Sequence, residues 1–189
     1  MKPQTKKMIK ASFIKLLRQK PLSKITVKEI VESCGINRNS FYYHYNDIPN
    51  LLEEIINEKT DEIIREGQNG DFCDWMTAAI RVALENRSAA LNIFNYADRR
   101  MFERSLNRIA ERMVTGCVDF HSAVFNISDD SREAVILYYK GLLTGLALDW
   151  LGSGMKYDLE HKMKRICAIF DGTFENAMRK CKRFDKLSF

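Results

Sequence analysis

Apolar residues return every three or four positions along most of the chain, and this is the repeat of an amphipathic α-helix. The pattern predicts about nine helices: 5–19, two within 25–45, then 47–66, 72–86, 88–96, 99–125, 132–151 and 158–182. No run of alternating β-branched residues with turn dipeptides argues for a sheet. The sequence therefore predicts an all-α fold.

The stretch 25–45 predicts two short helices joined by a tight turn. Thr26, with Glu29 three residues later, has the pattern of a capping box, and Ile25 with Ile30 has that of the matching hydrophobic staple. Gly35 follows, where a helix commonly ends on a residue that tolerates a positive φ. Together these signals predict a first helix with a defined start and a defined end.

The second of these two helices is polar at its start, residues 37–40, and strongly aromatic over residues 41–45. A short helix that presents hydrogen-bonding groups at its N-terminal end is typical of a DNA recognition helix. The alternative is an ordinary helical hairpin whose second helix is only solvated. The agreement of several signals favours the helix-turn-helix.

Basic residues are concentrated around this motif. Residues 1–46 carry ten Lys and Arg against two Glu, a net charge of 10 − 2 = +8, whereas the whole chain carries +5, which leaves −3 for the other 143 residues. A localised positive charge is typical of a protein that binds the phosphate backbone, although a solvated basic face gives the same count.

The residue pattern supports neither catalysis nor metal binding. Cys117 and His121 share a helical face but lack further metal ligands and the rest of a catalytic triad, so we expect no enzyme activity, no metal and no cofactor. No apolar run approaches membrane-spanning length, so no membrane partner is expected. The cysteines are odd in number and form no CxxC pair, which predicts reduced thiols in a cytoplasmic protein: Cys34, Cys73, Cys117, Cys167 and Cys181.

Several motifs in order resemble the N-terminal domain of TetR/AcrR-type transcriptional regulators over about residues 5–55. They are Thr-Val-Lys-Glu-Ile-Val at 26–31, Gly-Ile-Asn at 35–37, Ser-Phe-Tyr-Tyr-His-Tyr at 40–45 and Leu-Leu at 51–52. Tyr-Tyr-Lys-Gly-Leu-Leu-Thr-Gly at 138–145, followed by Trp-Leu at 150–151, resembles the dimerising region of some members, near the subgroup of dihydroxyacetone-kinase-type regulators.

This resemblance implies a homodimer that binds a palindromic operator in double-stranded DNA, usually as a repressor, and is released when a small-molecule effector binds. It implies an N-terminal three-helix DNA-binding bundle over residues 1–48, with the helix-turn-helix at 25–44. The larger helical domain over 49–189 would bind the effector and dimerise. The alternative is a ligand- or protein-binding module of the same fold that does not bind DNA sequence-specifically.

The motif positions imply which side chains contact DNA: Thr26, Lys28, Asn37, Arg38, Asn39, Ser40, Tyr42, Tyr43 and His44. The four residues from Asn37 would face bases, and Thr26 would meet a phosphate. Arg38 fits guanine and phosphate equally well. Ile48 stands where the family often has a phosphate-binding Lys, and its side chain cannot make that contact.

Two further sets of residues are candidates in the C-terminal domain. Aromatic and Met side chains could line an effector pocket, although such residues at helical spacing also form plain core: Trp75, Phe94, Tyr96, Phe102, Met113 and Tyr138. The last two helices could pair with a second copy as a four-helix bundle, or could be core helices of a monomer. The predicted dimer residues are Gly141, Gly145, Leu148, Ile166, Phe170 and Phe174.

Overall fold

In the computed structural model, residues 2–67, 72–96 and 99–187 are described, and their regular elements are all helical. The α-helices are α1 (Lys2–Gln19), α2 (Val27–Cys34), α3 (Arg38–His44), α4 (Ile48–Gly67), α5 (Phe72–Glu85), α6 (Arg87–Tyr96), α7 (Arg99–Phe125), α8 (Asp129–Gly152), α9 (Leu159–Ile169) and α10 (Thr173–Leu187). A 3₁₀ turn, Leu22–Lys24, lies between α1 and α2. The predicted all-α fold class is confirmed.

These helices form two compact units. The first comprises residues 1–59 and 85–103, and the second comprises residues 60–84 and 104–189. The helix α4 contributes its first part to one unit and its end to the other, so packing and not chain order defines the units. The sequence prediction separates a DNA-binding domain (1–48) from an effector-binding and dimerisation domain (49–189). That boundary concerns function and not packing, and it stays a prediction.

The first unit has a continuous hydrophobic core. Ile9 and Phe13 of α1, Ile30 of α2 and Phe41 of α3 are all 0 % exposed there. The helix α6 also belongs to this unit, since the amide of Asn92 donates to the backbone carbonyl of Leu17 at 2.8 Å. The sequence predicts the helix α6 but not this position, because its partner lies 75 residues earlier.

The second unit contains a cluster of aromatic rings contributed by four helices. Phe72 of α5 stacks on Phe174 of α10 with ring centroids 5.5 Å apart, and meets Tyr139 of α8 edge-on at 4.8 Å. His121 of α7 packs against Phe174 at 5.3 Å. Edge-on and offset contacts of this kind add to the stabilisation that burial provides.

The start of α8 is held by a carboxylate from α10. Asp185 accepts hydrogen bonds from the backbone N–H of Ser128 at 2.7 Å and from the hydroxyls of Ser128 and Ser131. These bonds, the backbone one foremost, hold the pKa of Asp185 below its usual value. Ser128 in turn caps α8 by accepting from the N–H of Ser131.

Two sequence predictions are wrong in the second unit. Cys73 and Cys167 are joined in a disulfide, whereas reduced thiols were expected; the fold brings their Cα atoms to 5.9 Å across 94 positions of sequence. The final helix predicted over 158–182 is two helices, α9 and α10. It breaks because Gly172 has φ +66°, a left-handed conformation that a continuous helix does not contain.

Among the described residues, α8 is long and apolar enough to cross a membrane by length and composition alone. About two fifths of its most apolar window (39 %) is buried in the fold, and core helices of soluble proteins pass the same test. The sequence prediction that no apolar run approaches membrane-spanning length is therefore corrected for α8. A single helix of this kind is only weak evidence for a membrane role.

Gly116 allows the α5–α7 contact. A Cβ at this position would lie 3.1 and 3.2 Å from two ring carbons of Trp75, whose side chain is 2 % exposed. We expect Gly116→Val to destabilise the protein by roughly 2 kcal/mol through overpacking, measured by urea unfolding. Asn107→Val, on the exposed side of the same helix, is the matched control and should change stability by less than about 1 kcal/mol. Equal stabilities of the two variants would contradict the contact.

Candidate nucleic-acid interface

The N-terminus of α2 has the predicted capping box. The hydroxyl of Thr26 accepts from the backbone N–H of Glu29 at 3.3 Å, and the Glu29 carboxylate accepts from the Thr26 N–H at 3.0 Å. The Thr26 hydroxyl also donates to that carboxylate at 2.9 Å. The two donors of Thr26 that would meet a phosphate are therefore already bonded to a carboxylate of the same helix.

Lys20 extends this arrangement. Its ammonium pairs with the Glu29 carboxylate, and this hydrogen bond, followed by those from Thr26, holds the pKa of Glu29 below its usual value. Helix N-termini bind anions because their first N–H groups are unpaired. Glu29 thus places an internal anion beside Lys20 and Thr26, at the site where a DNA phosphate is expected. The sequence pattern does not predict this role of Lys20, because the contact crosses the turn before α2.

The turn between α2 and α3 is sharp and follows the prediction. Gly35 has φ +68°, and the N–H of Ile36 donates to the Val31 carbonyl at 3.0 Å. Asn37 caps α3, because its side-chain oxygen accepts from the backbone N–H of Ser40 at 2.8 Å and from the Ser40 hydroxyl at 3.0 Å. Two of the four predicted base-facing residues are thus bonded to each other.

The helix α3 has one exposed face and one buried anchor. Arg38 and Asn39 are exposed at its start, and Tyr42 and Tyr43 are 51 % and 65 % exposed. Phe41 lies on the opposite side and is fully buried in the first unit. The helix therefore presents hydrogen-bonding and aromatic side chains to solvent from a fixed position. His44, half-buried in the last turn, packs edge-on against Tyr43 at 5.0 Å.

Not every basic residue near this face is available to an anion. Lys6 and Lys10 of α1 pair with Glu54 of α4 at 2.9 and 2.5 Å. Burial alone would raise the pKa of Glu54, but the hydrogen bonds from the two lysines outweigh it and hold that pKa below its usual value. Lys28 faces Glu32 at 3.8 Å, but both are largely exposed, so this pair contributes little.

The hydroxyl of Tyr45 completes the Glu54 cluster by donating to the carboxylate at 3.3 Å. Burial, and then the charge of Glu54, raises the pKa of Tyr45 to about 12. The cluster fixes α1 to the first part of α4 and is structural. Ile48, the first residue of α4, is half-buried against the hydrophobic core of the same unit.

The residues predicted for an effector pocket belong to both units. Phe94 and Phe102 meet edge-on at 5.2 Å in the first unit, whereas Trp75 and Met113 are buried in the second. Tyr138, also in the second unit, is 69 % exposed. The Tyr96 side chain lies outside the described residues. The effector assignment stays a prediction.

Most residues predicted for a dimer interface lie at the surface of the second unit. A Cβ at Gly141 or Gly145 would meet nothing within 4 Å, and Phe170 is 57 % exposed. Leu148 and Ile166 are half-buried. Phe174 differs, since it is 3 % exposed and packs inside its own unit. Exposed apolar residues that the sequence analysis did not single out extend the surface: Leu137 (66 %), Leu142 (42 %) and Ile169 (69 %).

Two family models match this chain. The one described as bacterial regulatory proteins, tetR family, matches residues 13–55, and the one described as a transcriptional regulator C-terminal region matches residues 70–172, more than half of the chain. Among solved structures, the dihydroxyacetone kinase operon activator DhaS is similar, with a TM-score of 0.72. That match has 18 % sequence identity and covers 90 % of this chain and 96 % of that one, so it shows a shared fold.

Proposed function

Since this chain belongs to the TetR family of bacterial regulatory proteins, we propose that it represses transcription by binding a palindromic operator as a homodimer, and that a small-molecule effector releases it. Membership of the family makes it a transcriptional regulator whose helix-turn-helix domain binds DNA. The operator, the dimer, the sign of regulation, the effector and the cytoplasmic location are the parts proposed.

The observation that carries the proposal is the exposed face of α3. Arg38, Asn39 and Tyr42 point to solvent from a helix that Phe41 fixes to the core. Side chains reach base edges in the major groove from such a helix, and the basic residues around it would bind the flanking phosphates.

The exposed apolar surface of the second unit supports the dimer. Leu137, Tyr138 and Leu142 line one side of α8, and Gly141 lies among them with open space above it. A contiguous apolar surface of this kind is commonly an interface between subunits. Two copies related by a two-fold axis would present two α3 helices, and these would bind half-sites about 34 Å apart.

Two buried donors in the second unit support a polar effector. The indole N–H of Trp75 and the hydroxyl of Thr144 have no hydrogen-bond partner among the described residues. A buried donor without a partner destabilises the fold by about 1–3 kcal/mol, and a ligand that accepts its hydrogen bond removes that penalty. The effector controls DNA binding only to the extent that it binds the two conformations of the dimer differently.

An electrophoretic mobility shift with the promoter region of the protein's own gene tests DNA binding. If each dimer contacts six to ten phosphates, raising the salt from 50 to 200 mM should weaken binding by roughly 10³–10⁵. Sedimentation of the complex measures the stoichiometry, and a reporter under the same promoter measures the sign of regulation. The structurally similar protein DhaS is named as an activator, so activation of the reporter is the second possible outcome of this assay.

A module of the same fold that does not bind a DNA sequence is the second candidate. Two observations favour it: Ile48 supplies no cation at the start of α4, and Glu29 already bonds both donors of Thr26. Absence of any shift at low salt and micromolar protein would support this candidate and contradict the operator proposal.

Replacing Glu29 tests whether its carboxylate competes with DNA. In Glu29→Gln the side chain keeps an oxygen for the Thr26 N–H but loses the charge that pairs with Lys20. Because removing this negative charge reduces the repulsion of a phosphate at the start of α2, we expect DNA affinity to rise about two- to fivefold. Fluorescence anisotropy titrations at fixed salt measure it.

Glu32→Gln is the matched control for this experiment. It makes the same charge change on the same helix, but Glu32 is exposed and pairs only loosely with Lys28. We expect its effect on affinity to be smaller than that of Glu29→Gln. Equal gains in the two variants would mean that net charge alone acts and that Glu29 does not occupy a phosphate site.

A further inference from the structure

The disulfide between Cys73 and Cys167 lies in an unexpected setting. Both residues are half-buried, so each cysteine lies at the boundary between the interior of the second unit and solvent. In the cytoplasm proposed for this regulator, glutathione and thioredoxin keep protein thiols reduced, and the disulfides that do form there are usually transient. A bond in this place therefore favours a reversible role over a permanent cross-link.

We propose that Cys73 and Cys167 are a peroxide-sensitive dithiol whose oxidation to the disulfide fixes α9 and thereby changes DNA affinity. The effect on DNA rests on the proposed function. The redox chemistry of the pair does not, because it is measured on the protein alone.

The position of Cys73 suits the first chemical step. It is the second residue of α5, and the partial positive charge at the start of a helix favours a thiolate. That thiolate attacks one oxygen of a hydroperoxide, ROOH, to give a sulfenic acid, and the leaving alkoxide takes up a proton to become ROH. The Cys167 thiolate then attacks the Cys73 sulfur and expels hydroxide, which is protonated to water.

In total, two thiols and one ROOH give one disulfide, one ROH and one water. Two electrons pass from the two sulfur atoms to the peroxide. A small dithiol reverses the change by thiol–disulfide exchange, because its own thiolate attacks the bond and is oxidised in turn.

The bond connects α9 to the aromatic cluster of the second unit. Phe72, next to Cys73, stacks on Phe174 and meets Tyr139, while Cys167 lies in the last turn of α9. Three residues beyond it is Phe170, which is 57 % exposed on the surface proposed for dimerisation. Opening the bond removes the covalent link between this surface and α5, so the redox state can change the geometry of a dimer.

The other three cysteines provide controls and one competing explanation. Cys117 is 1 % exposed and Cys181 is half-buried on α10. Cys34 lies in α2, where its thiol donates to the Ile30 carbonyl at 3.1 Å. Oxidation of Cys34 would also alter DNA binding, so its contribution has to be separated.

Thiol counting on the full-length protein tests the chemistry. After reduction by dithiothreitol without denaturant, alkylation of the unfolded protein should count five thiols, and after one equivalent of hydrogen peroxide it should count three, with peptide mapping placing the bond at Cys73–Cys167. The oxidised protein should melt roughly 5–15 °C higher, because the bond closes a long loop. A bond that opens only in denaturant, or peroxide that first modifies Cys34 or Cys181, would overturn the proposal.

DNA titrations of both redox states test the consequence. Allosteric coupling typically changes affinity about 5–150-fold, so we expect at least about a fivefold difference between the oxidised and reduced protein. The Cys73→Ser/Cys167→Ser protein should bind as the reduced protein does and ignore peroxide, whereas Cys34→Ser and Cys181→Ser should keep the response.

The outcomes separate the two proposals. Equal affinities of the two states, or a response that disappears in Cys34→Ser, would overturn the control of DNA binding by this pair. Failure of both states to bind any DNA would contradict the proposed function, and the thiol count and melting temperatures would still decide whether the pair is redox-active.

Discussion

A protein in which Arg38 and Tyr42 are both changed to alanine should bind its operator no more tightly than unrelated DNA. Both side chains are exposed on α3, and the ring of Tyr42 meets that of Phe41 edge-on with centroids 5.5 Å apart. A dimer would lose two DNA-contacting side chains in each of two half-sites, and a good contact to a base is worth about 1–3 kcal/mol. Specific binding typically exceeds non-specific binding by about 4–10 kcal/mol, so this loss removes most of it.

Anisotropy titrations with operator and scrambled DNA at the same salt measure the effect. Arg165→Ala is the matched control: it removes one exposed Arg from α9 and should leave operator binding unchanged. Thermal unfolding of the double variant should match that of the parent protein. Specific binding that survives both substitutions would place the recognition surface elsewhere.

The single variant Arg38→Ala decides between the two roles left open for this residue. A phosphate contact contributes about one unit to the slope of log K against log salt, whereas a base contact contributes to sequence preference. A reduced slope with unchanged preference identifies a phosphate contact. An unchanged slope with relaxed preference at one base pair identifies a guanine contact.

Local features of the helix-turn-helix could be predicted from the sequence because each is satisfied within a few residues. Thr26 and Glu29 bond each other as a capping box, and Gly35 takes the positive φ that ends α2. The cap of α4 is equally local, since Asp47 accepts from the N–H of Asn50 at 2.7 Å. Periodicity also predicts the long helix α7, whose bounds match the structure.

Contacts between distant residues could not be predicted in this way. The pairing of Lys6 and Lys10 with Glu54 spans more than 40 positions, and the disulfide spans 94. No repeat or motif marks such partners, because many residues of each type lie at similar separations. The partner of α6 could not be predicted either, because its amphipathic pattern shows that one face is buried but not against which helix.

These contacts change what the charge count means. The excess of +8 over residues 1–46 treats every lysine as available to DNA, but Lys6 and Lys10 already pair with Glu54, and Lys20 pairs with Glu29. The positive charge that is available to bind a DNA phosphate is therefore smaller than the net charge of +8 implies. Lys7, Lys15 and Lys24 are exposed and remain candidates for the phosphate contacts.

Phe41→Ala should unfold or loosen the first unit and remove DNA binding without touching any residue predicted to contact DNA. The ring is 0 % exposed and lies 5.8 Å from that of Tyr45, itself 1 % exposed. Truncation of a buried Phe to Ala costs about 3–5 kcal/mol, through lost burial and the cavity that remains. Total stabilities are about 5–15 kcal/mol, so much of the stability of a small bundle is lost.

Urea unfolding measures the loss, and amide hydrogen exchange in α3 compared with that in α8 shows whether it is confined to the first unit. Tyr43→Ala, two positions along the same helix and 65 % exposed, should change stability by less than about 1 kcal/mol. Phe41→Leu keeps most of the volume and should restore much of the stability and the DNA binding. If Phe41→Ala were as stable as the Tyr43→Ala control, α3 would not be anchored through this ring. Its exposed face would then lack the fixed position that base recognition requires.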